Sequence, residues 1–247
     1  LITKKISEVK GTVIIFDYHN DYTTLNIPNV NVIDAKINPR LLEADQFSEV
    51  LEIRENADVQ QRVLRMSFTQ EVKEAGEFWN KLEYEVDLLV NSEDKKLKEI
   101  RTSAYRVQDI IEDAQRRFDD ILDPEVGNPM DYIKEGCTNI INISELSEKQ
   151  ANVAMGFYLQ QLLKDRKNAT IAKHGKSKKQ KDYKFFEPVF IILEEAHVFI
   201  PKDHDTAAKY WAAKIAREGR KFGVGLAIVS QRPRSVDLNI LSQMGSF

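Results

Sequence analysis

The sequence predicts an α/β protein built on a doubly wound parallel sheet that is interrupted by a helical insertion. Three observations carry this expectation. Short continuous apolar runs alternate with helical patterns toward the two ends of the chain; the span from Arg40 to Asp123 holds no proline and only one glycine, Gly76; and the apolar run Phe190-Ile191-Ile192-Leu193 stops abruptly at two carboxylates. A strand buried on both faces of a parallel sheet reads as an unbroken apolar run. Strands separated by helices imply crossover connections and hence parallel pairing.

Taken in order, Leu1, Ile2, Ile6 and Val9 have helical spacing and stop at Gly11, where a glycine would end the helix. The first strand is expected over Thr12–Phe16. Leu, Glu, Lys, Arg and Gln dominate from Arg40 to Asp123, a helix-forming composition over a span too long for an ordinary crossover. Pro124, Gly127 and Pro129 mark the return to the sheet. Strands are then expected at Thr138–Ile143, Val189–Leu193 and Val224–Val229, with helices over Glu148–Leu163 and Ala207–Phe222. The resulting division is 1–39 for the first part of the sheet core, 40–135 for a helical-bundle insertion and 136–247 for the second part of the core.

At 247 residues and 42% hydrophobic content the chain can bury a sizeable core. No stretch approaches the roughly 18 apolar residues of a membrane helix, and Leu1-Ile2-Thr3-Lys4-Lys5 lacks the apolar block of a signal peptide, so a cytoplasmic protein without a membrane role is expected. The single cysteine, Cys137, excludes an internal disulfide or a cysteine zinc cluster and is expected to be a small core residue beside a strand. The 36 basic and 39 acidic residues nearly cancel, and only their distribution is informative. Between Lys164 and Lys184 nine Lys or Arg face Asp165 and Asp182, which leaves the rest of the chain near minus ten. Broken by Gly175 and Ser177, this stretch reads either as a solvated connector or as a loop facing phosphates. In the second case Lys173, Lys176, Lys178, Lys179 and Lys181 are the DNA-binding candidates.

The chemistry centres on Glu194 and Glu195. A buried strand delivers its last side chains to the carboxyl edge of the sheet, where open α/β folds place their ligands. There one carboxylate, Glu194, can hold Mg²⁺ through its water shell while the next, Glu195, polarises the water that attacks a γ-phosphate. The competing plain reading is two solvated acids ending a strand. A metal-hydrolase reading with Glu194, Glu195 and His197 as ligands needs a helical turn between ligands, and the spacing is too short; His197 fits a packed or hydrogen-bonded histidine better. In the helix that follows, Ala208, Trp211, Ala212, Ile215, Gly219 and Phe222 form an apolar stripe, and Arg217, Arg220 and Lys221 lie away from it. An arginine so placed can reach a neighbouring subunit's nucleotide; otherwise these are surface arginines. Gln231, at the tip of the last strand, is placed to sense a γ-phosphate or to position water.

Ile192-Leu193-Glu194-Glu195-Ala196-His197, Ala216-Arg217-Glu218-Gly219-Arg220-Lys221-Phe222-Gly223, Val229-Ser230-Gln231-Arg232-Pro233 and Leu241-Ser242-Gln243 together resemble the HerA family of the HerA/FtsK superfamily of DNA pumps. Ile15-Phe16-Asp17-Tyr18-His19-Asn20-Asp21-Tyr22 resembles the strand after that family's phosphate-binding helix. The resemblance covers both ends and the region from Gly136, and the helical insertion matches in kind more than in motif. It implies a RecA-like P-loop NTPase fold of the ASCE type, with ATP and Mg²⁺ as cofactors, in a homohexameric ring that threads double-stranded DNA and works with a NurA-type nuclease in end resection. By the same resemblance Glu195 is the catalytic glutamate, Gln231 the sensor and Arg220 an arginine finger acting on the adjacent subunit, with Arg217 beside it as a further nucleotide contact. Glu194 replaces the aspartate commoner at the metal position. The sequence contains no Gly-x-x-x-x-Gly-Lys-Ser/Thr motif, which in the family would stand just before Leu1. The family's N-terminal barrel is not matched either, so a partial chain is expected, inactive as it stands. A related FtsK/VirB4-type pump with another substrate and a non-hydrolysing interaction fragment are the alternatives.

Overall fold

The structure is a computed structural model that describes residues 5–6, 8–22, 29–54, 56–94, 97–173, 183–185 and 187–245. The chain forms two compact units: Leu1–Ala35 together with Pro129–Phe247, and Lys36–Asn128. In the first unit β1 (Thr12–Asp17), β2 (Val30–Asp34), β3 (Thr138–Asn142), β4 (Val189–Leu193) and β5 (Val224–Ile228) make one sheet in the order β2-β3-β1-β4-β5. Every pairing is parallel, with Ile15 opposite Ile140 on one side and Ile192 on the other, and Leu193 opposite Ile228. β1 occupies the middle, and all six of its residues are buried, as its unbroken apolar run requires. β2 escapes the sequence patterns because its run is short and mixed: Val32 is exposed and Asn31 breaks the apolar run.

The second unit is helical, with α1 (Ala44–Val50), α2 (Asp58–Ser67), α3 (Gln70–Glu74), α4 (Phe78–Val90) and α5 (Arg101–Arg117). In α5 Ala104, Val107, Ile111 and Ala114 repeat at intervals of three and four, and that stripe is buried. Phe47 anchors an aromatic cluster, with ring centroids 4.6 Å from Phe68 and 6.3 Å from Phe78. The ends of the unit are tied together where Ile37 N donates to Ile121 O at 2.7 Å and Asp123 N donates to Ile37 O at 3.0 Å. Arg40 locks the same corner, donating to Pro124 O and Lys73 O at 2.9 Å each and to Glu125 Oε1 at 2.6 Å. The compact unit runs from Lys36 to Asn128, where composition reads 40–135. The turn at Pro129–Tyr132 belongs to the sheet unit, where Asn31 Nδ2 donates to Tyr132 O at 2.7 Å.

Back in the sheet unit, α6 (Glu148–Lys173) extends ten residues beyond the Leu163 expected from sequence. It opens with a capping box in which Gln150 N donates to Ser147 Oγ and Ser147 N to Gln150 Oε1, at 3.3 and 2.8 Å. Residues 150–159 are buried all round, because this helix is covered on more than one side; Tyr158 meets Phe16 of β1 edge-on at 6.3 Å. α7 (Ala196–Phe199) follows β4 directly, and α8 (Ala207–Glu218) packs along α6. Gly156 makes that packing possible, since a Cβ there would stand 2.7 Å from the Ala207 Cβ. The expected helix to Phe222 changes after Glu218 into a 3-10 turn, Gly219–Phe222, before β5.

Two readings are corrected. The opening helix ends with Lys10, not Gly11, in the left-handed region at φ 56°, and Gly11 N takes the closing bond to Ile6 O at 2.9 Å. Glycine is needed at 11 because a Cβ there would collide with the Ile6 side chain. Cys137 is half-buried just before β3 and is not a core residue. Leu1 and Ile2 lie outside the described residues. Among the described residues no helix is long and apolar enough to cross a membrane.

The last helix, α9 (Leu238–Gln243), is held to α8 by charge. Asp237 caps it, accepting from Asn239 N at 2.8 Å, and pairs through its other oxygen with Lys209 Nζ at 3.0 Å. The hydrogen bond from Lys209 is the main reason the Asp237 carboxyl is held below its ordinary value. A carboxyl whose folded pKa is depressed stabilises the fold fully above its unfolded pKa and loses that contribution as pH falls through the folded pKa. Asp237→Asn is therefore expected to lower the thermal midpoint at neutral pH, with the gap to the parent closing as pH falls below the ordinary carboxylate range. Thermal melts of both forms across pH 3–7 measure this, and a gap independent of pH overturns it.

Candidate functional site

Parallel pairing gathers the carboxyl ends of all the strands at one edge of the sheet. β1 runs into Tyr18-His19, β4 into Glu194-Glu195 and β5 into Val229-Ser230-Gln231, so residues far apart in sequence meet there. Asp17, the buried last residue of β1, accepts from Asp21 N at 3.1 Å and Tyr22 N at 3.0 Å and so folds the following loop back over the edge. That fold carries Tyr22 to Glu194, where its hydroxyl donates to Oε1. Burial, and next the hydrogen bond to Glu194, push the Tyr22 phenol well above its usual pKa, which keeps it protonated as the donor.

Glu195 leaves strand geometry altogether. Its φ of 45° and ψ of 41° place it in the left-handed region, where a residue with a Cβ costs about 1–2 kcal/mol. In one residue the chain turns from β4 into α7, and the Glu195 side chain is buried with 8% of the residue exposed. The turn is held from β5, where Val229 N donates to Leu193 O and Ala196 N to Val229 O, each at 2.9 Å. Two imidazoles flank the carboxylate: His197 Nδ1 is 3.0 Å from Oε2 and His19 Nε2 is 3.7 Å from Oε1. His197 Nδ1 is also 3.1 Å from Ser230 Oγ, which accepts from Arg232 N at 3.0 Å. Tyr18 supports α7 from below, meeting the Phe199 ring edge-on at 5.3 Å.

Glu194, Glu195 and Gln231 thus share one edge, with Glu195 buried, Glu194 half-buried and Gln231 exposed. Arg217 and Arg220 do not join them. Arg220 lines a groove with Gly11, Thr12, Val189 and Val224, at the amino ends of β1, β4 and β5. The five residues of β4 alone separate the two ends by about 16 Å. Both arginines are exposed, as is Lys173 at the end of α6; Lys176, Lys178, Lys179 and Lys181 lie outside the described residues. Reading residues one motif at a time missed Tyr22 and His19 as partners of the acid pair and Ser230 as the partner of His197. The signal for the first two was the polar run just after a fully apolar strand.

The acid pair suits a hydrated divalent cation. A carboxylate offers about four acceptor positions, and Tyr22 uses one of those on Glu194, so hard oxygen capacity remains for magnesium-bound water.

A parallel sheet with helical crossovers and an acid pair at the carboxyl edge of an interior strand defines a RecA-like α/β fold. The same fold is found in the structure of VirB4 of Thermoanaerobacter pseudethanolicus, which aligns with a TM-score of 0.56 over 95% of this chain and 67% of that one, at 16% identity. The chain belongs to the family described as Helicase HerA, central domain, which matches residues 1–162. Among curated relatives it is 42% identical to the DNA double-strand break repair helicase HerA of Sulfurisphaera tokodaii and 38% identical to that of Sulfolobus acidocaldarius, each over 99% of this chain. It is 31% identical to the protein of that name from Pyrococcus furiosus. The chain spans about half the length of these relatives.

Proposed function

We propose that this chain is the central part of an ATP- and Mg²⁺-dependent motor that moves along double-stranded DNA, a helicase of DNA double-strand break repair. The supporting observation is the placement of Glu195: a strained, buried carboxylate at the sheet edge, flanked by imidazoles and next to a second acid that can take a cation's water shell. Strain of this kind persists where surrounding structure enforces it and clusters at functional sites. In this reading Glu195 accepts the proton of the attacking water, Glu194 holds a water of the metal's hydration shell and Gln231 senses the γ-phosphate. Bound magnesium supplies charge neutralisation at the phosphates. The relatives named above are repair helicases, and their name is the reason for choosing DNA over another cargo.

The same reading makes the working form a homohexameric ring with nucleotide between subunits and a NurA-type nuclease as partner. Arg220 is the finger that reaches the adjacent site, with Arg217 beside it. Lys173 and the lysines that follow it in sequence are the contacts to the DNA backbone in this reading. Hydrolysis of ATP by the complete protein, measured with and without linear duplex DNA, tests the assignment. DNA-stimulated hydrolysis is expected. Hydrolysis indifferent to DNA points to a pump for another substrate, and no hydrolysis removes the catalytic role from the acid pair.

A further inference from the structure

The geometry points to His197 as a positioning residue that aims Glu195 and ties it to the turn carrying Gln231. The inference rests on Glu195 being the water-activating base and adds to it the device that holds that base. His197 Nδ1 stands 3.0 Å from Glu195 Oε2, and because a carboxylate only accepts hydrogen bonds, the tautomer with the proton on Nδ1 is the one that serves this contact. The same nitrogen is hydrogen-bonded with Ser230 Oγ at 3.1 Å, and that oxygen accepts the Arg232 amide at 3.0 Å. A continuous path thus runs from Glu195 through the imidazole to Ser230 and Arg232, the two residues that flank Gln231. With 16% of its side chain exposed, His197 works largely out of water, where such a bond is strong.

The backbone explains why an orienting partner is needed. Glu195 sits in a left-handed conformation with the whole of its longer side chain still free to choose rotamers, so the carboxylate is aimed only by what it touches. On one side it meets half-exposed His19 at 3.7 Å, a loose contact. On the other it meets His197 at hydrogen-bond distance. His197 is four residues beyond β4 and Ser230 two beyond β5, and these strands pair directly, so a shift of the β5 tip when Gln231 engages a phosphate is passed to the base through one imidazole. A base oriented by a third group is the general arrangement for activated nucleophiles.

The test uses the complete protein and reads kcat and KM for ATP separately. His197→Ala is expected to lower kcat about 10- to 100-fold, the usual cost of losing an orienting partner, with KM within about twofold. Asparagine places an amide nitrogen where Nδ1 stands and glutamine one atom further out, so His197→Asn is expected to recover most of the loss and His197→Gln little of it. Ser230→Ala is expected to lower kcat in the His197 background but not in His197→Ala, a non-additive cycle. A His197→Ala kcat within twofold of the parent, an Asn variant no better than Gln, or an additive cycle overturns the inference. If His197→Ala does not fold in a thermal melt, the Asn and Gln pair and Ser230→Ala decide alone. Glu195→Gln is run alongside: if it hydrolyses ATP like the parent, the assignment of the base has failed; if it is dead while the His197 variants match the parent, only the role of His197 has.

Discussion

Glu195→Gln in the complete protein is expected to reduce ATP hydrolysis by at least about 100-fold while nucleotide affinity stays within a few-fold of the parent. General base catalysis contributes about 10²- to 10⁴-fold, and an amide has no basic oxygen to take the proton of the attacking water. Shape is kept, and the amide oxygen can keep the closer of the two imidazole contacts, that with His197, while the amide nitrogen takes the position that faces His19. The substitution also removes a buried negative charge from a site whose backbone is already strained, so the thermal midpoint should not fall. Single-turnover hydrolysis and equilibrium binding of a fluorescent ATP analogue separate the two effects. Retained turnover would return the acid pair to the role of solvated strand-end residues, and lost binding would show that Glu195 serves the nucleotide rather than the water.

Arg220→Ala is expected to lower hydrolysis by about 10³-fold, the lower end of what an arginine finger contributes, and to do so across a subunit boundary. Arg220 is exposed on the 3-10 turn after α8, at the amino end of the sheet, whereas Glu195 of the same chain is at the carboxyl end. It therefore cannot serve its own chain's carboxylates. Mixing Arg220→Ala with Glu195→Gln subunits makes the point directly. A ring with head-to-tail contacts would regain about a quarter of its interfaces in complete form on random mixing, each with Glu195 from one subunit and Arg220 from the next. Recovery of hydrolysis from two inactive proteins is the expected outcome. No recovery in mixtures that do co-assemble would remove Arg220 from the reaction.

Much of the fold was legible in the residues. Thr12–Asp17, Thr138–Asn142 and Val189–Leu193 lie inside the sheet and are largely buried, and Val224–Ile228, at the edge and mostly half-buried, still keeps an unbroken apolar run, so all four stand out within about a residue of their true limits. β2 was not legible. Asn31 and Asp34 interrupt its apolar residues and only Ile33 is buried, so Val30-Asn31-Val32-Ile33-Asp34 carries a mixed pattern that resembles a loop, whereas the opposite edge strand, β5, has no polar side chain. The length of α6 was hidden for the opposite reason: a helix buried nearly all round has no stripe to mark where it ends.

For the site, the sequence by itself determined which chemistry is on offer. An apolar strand that stops at Glu194-Glu195 delivers two carboxylates to a sheet edge, and an apolar stripe on Ala207–Glu218 leaves Arg217 outside the core, because these are matters of local period and burial. Only the tertiary structure decided which groups act on one another. Strand order brings Tyr22 to Glu194 and Ser230 to His197, a left-handed residue at Glu195 turns the chain from β4 into α7, and the length of β4 keeps Arg220 at the far end from the acids. Periodicity reports which face of an element is buried, whereas these contacts depend on which elements become neighbours, and that is set by the packing of the whole sheet.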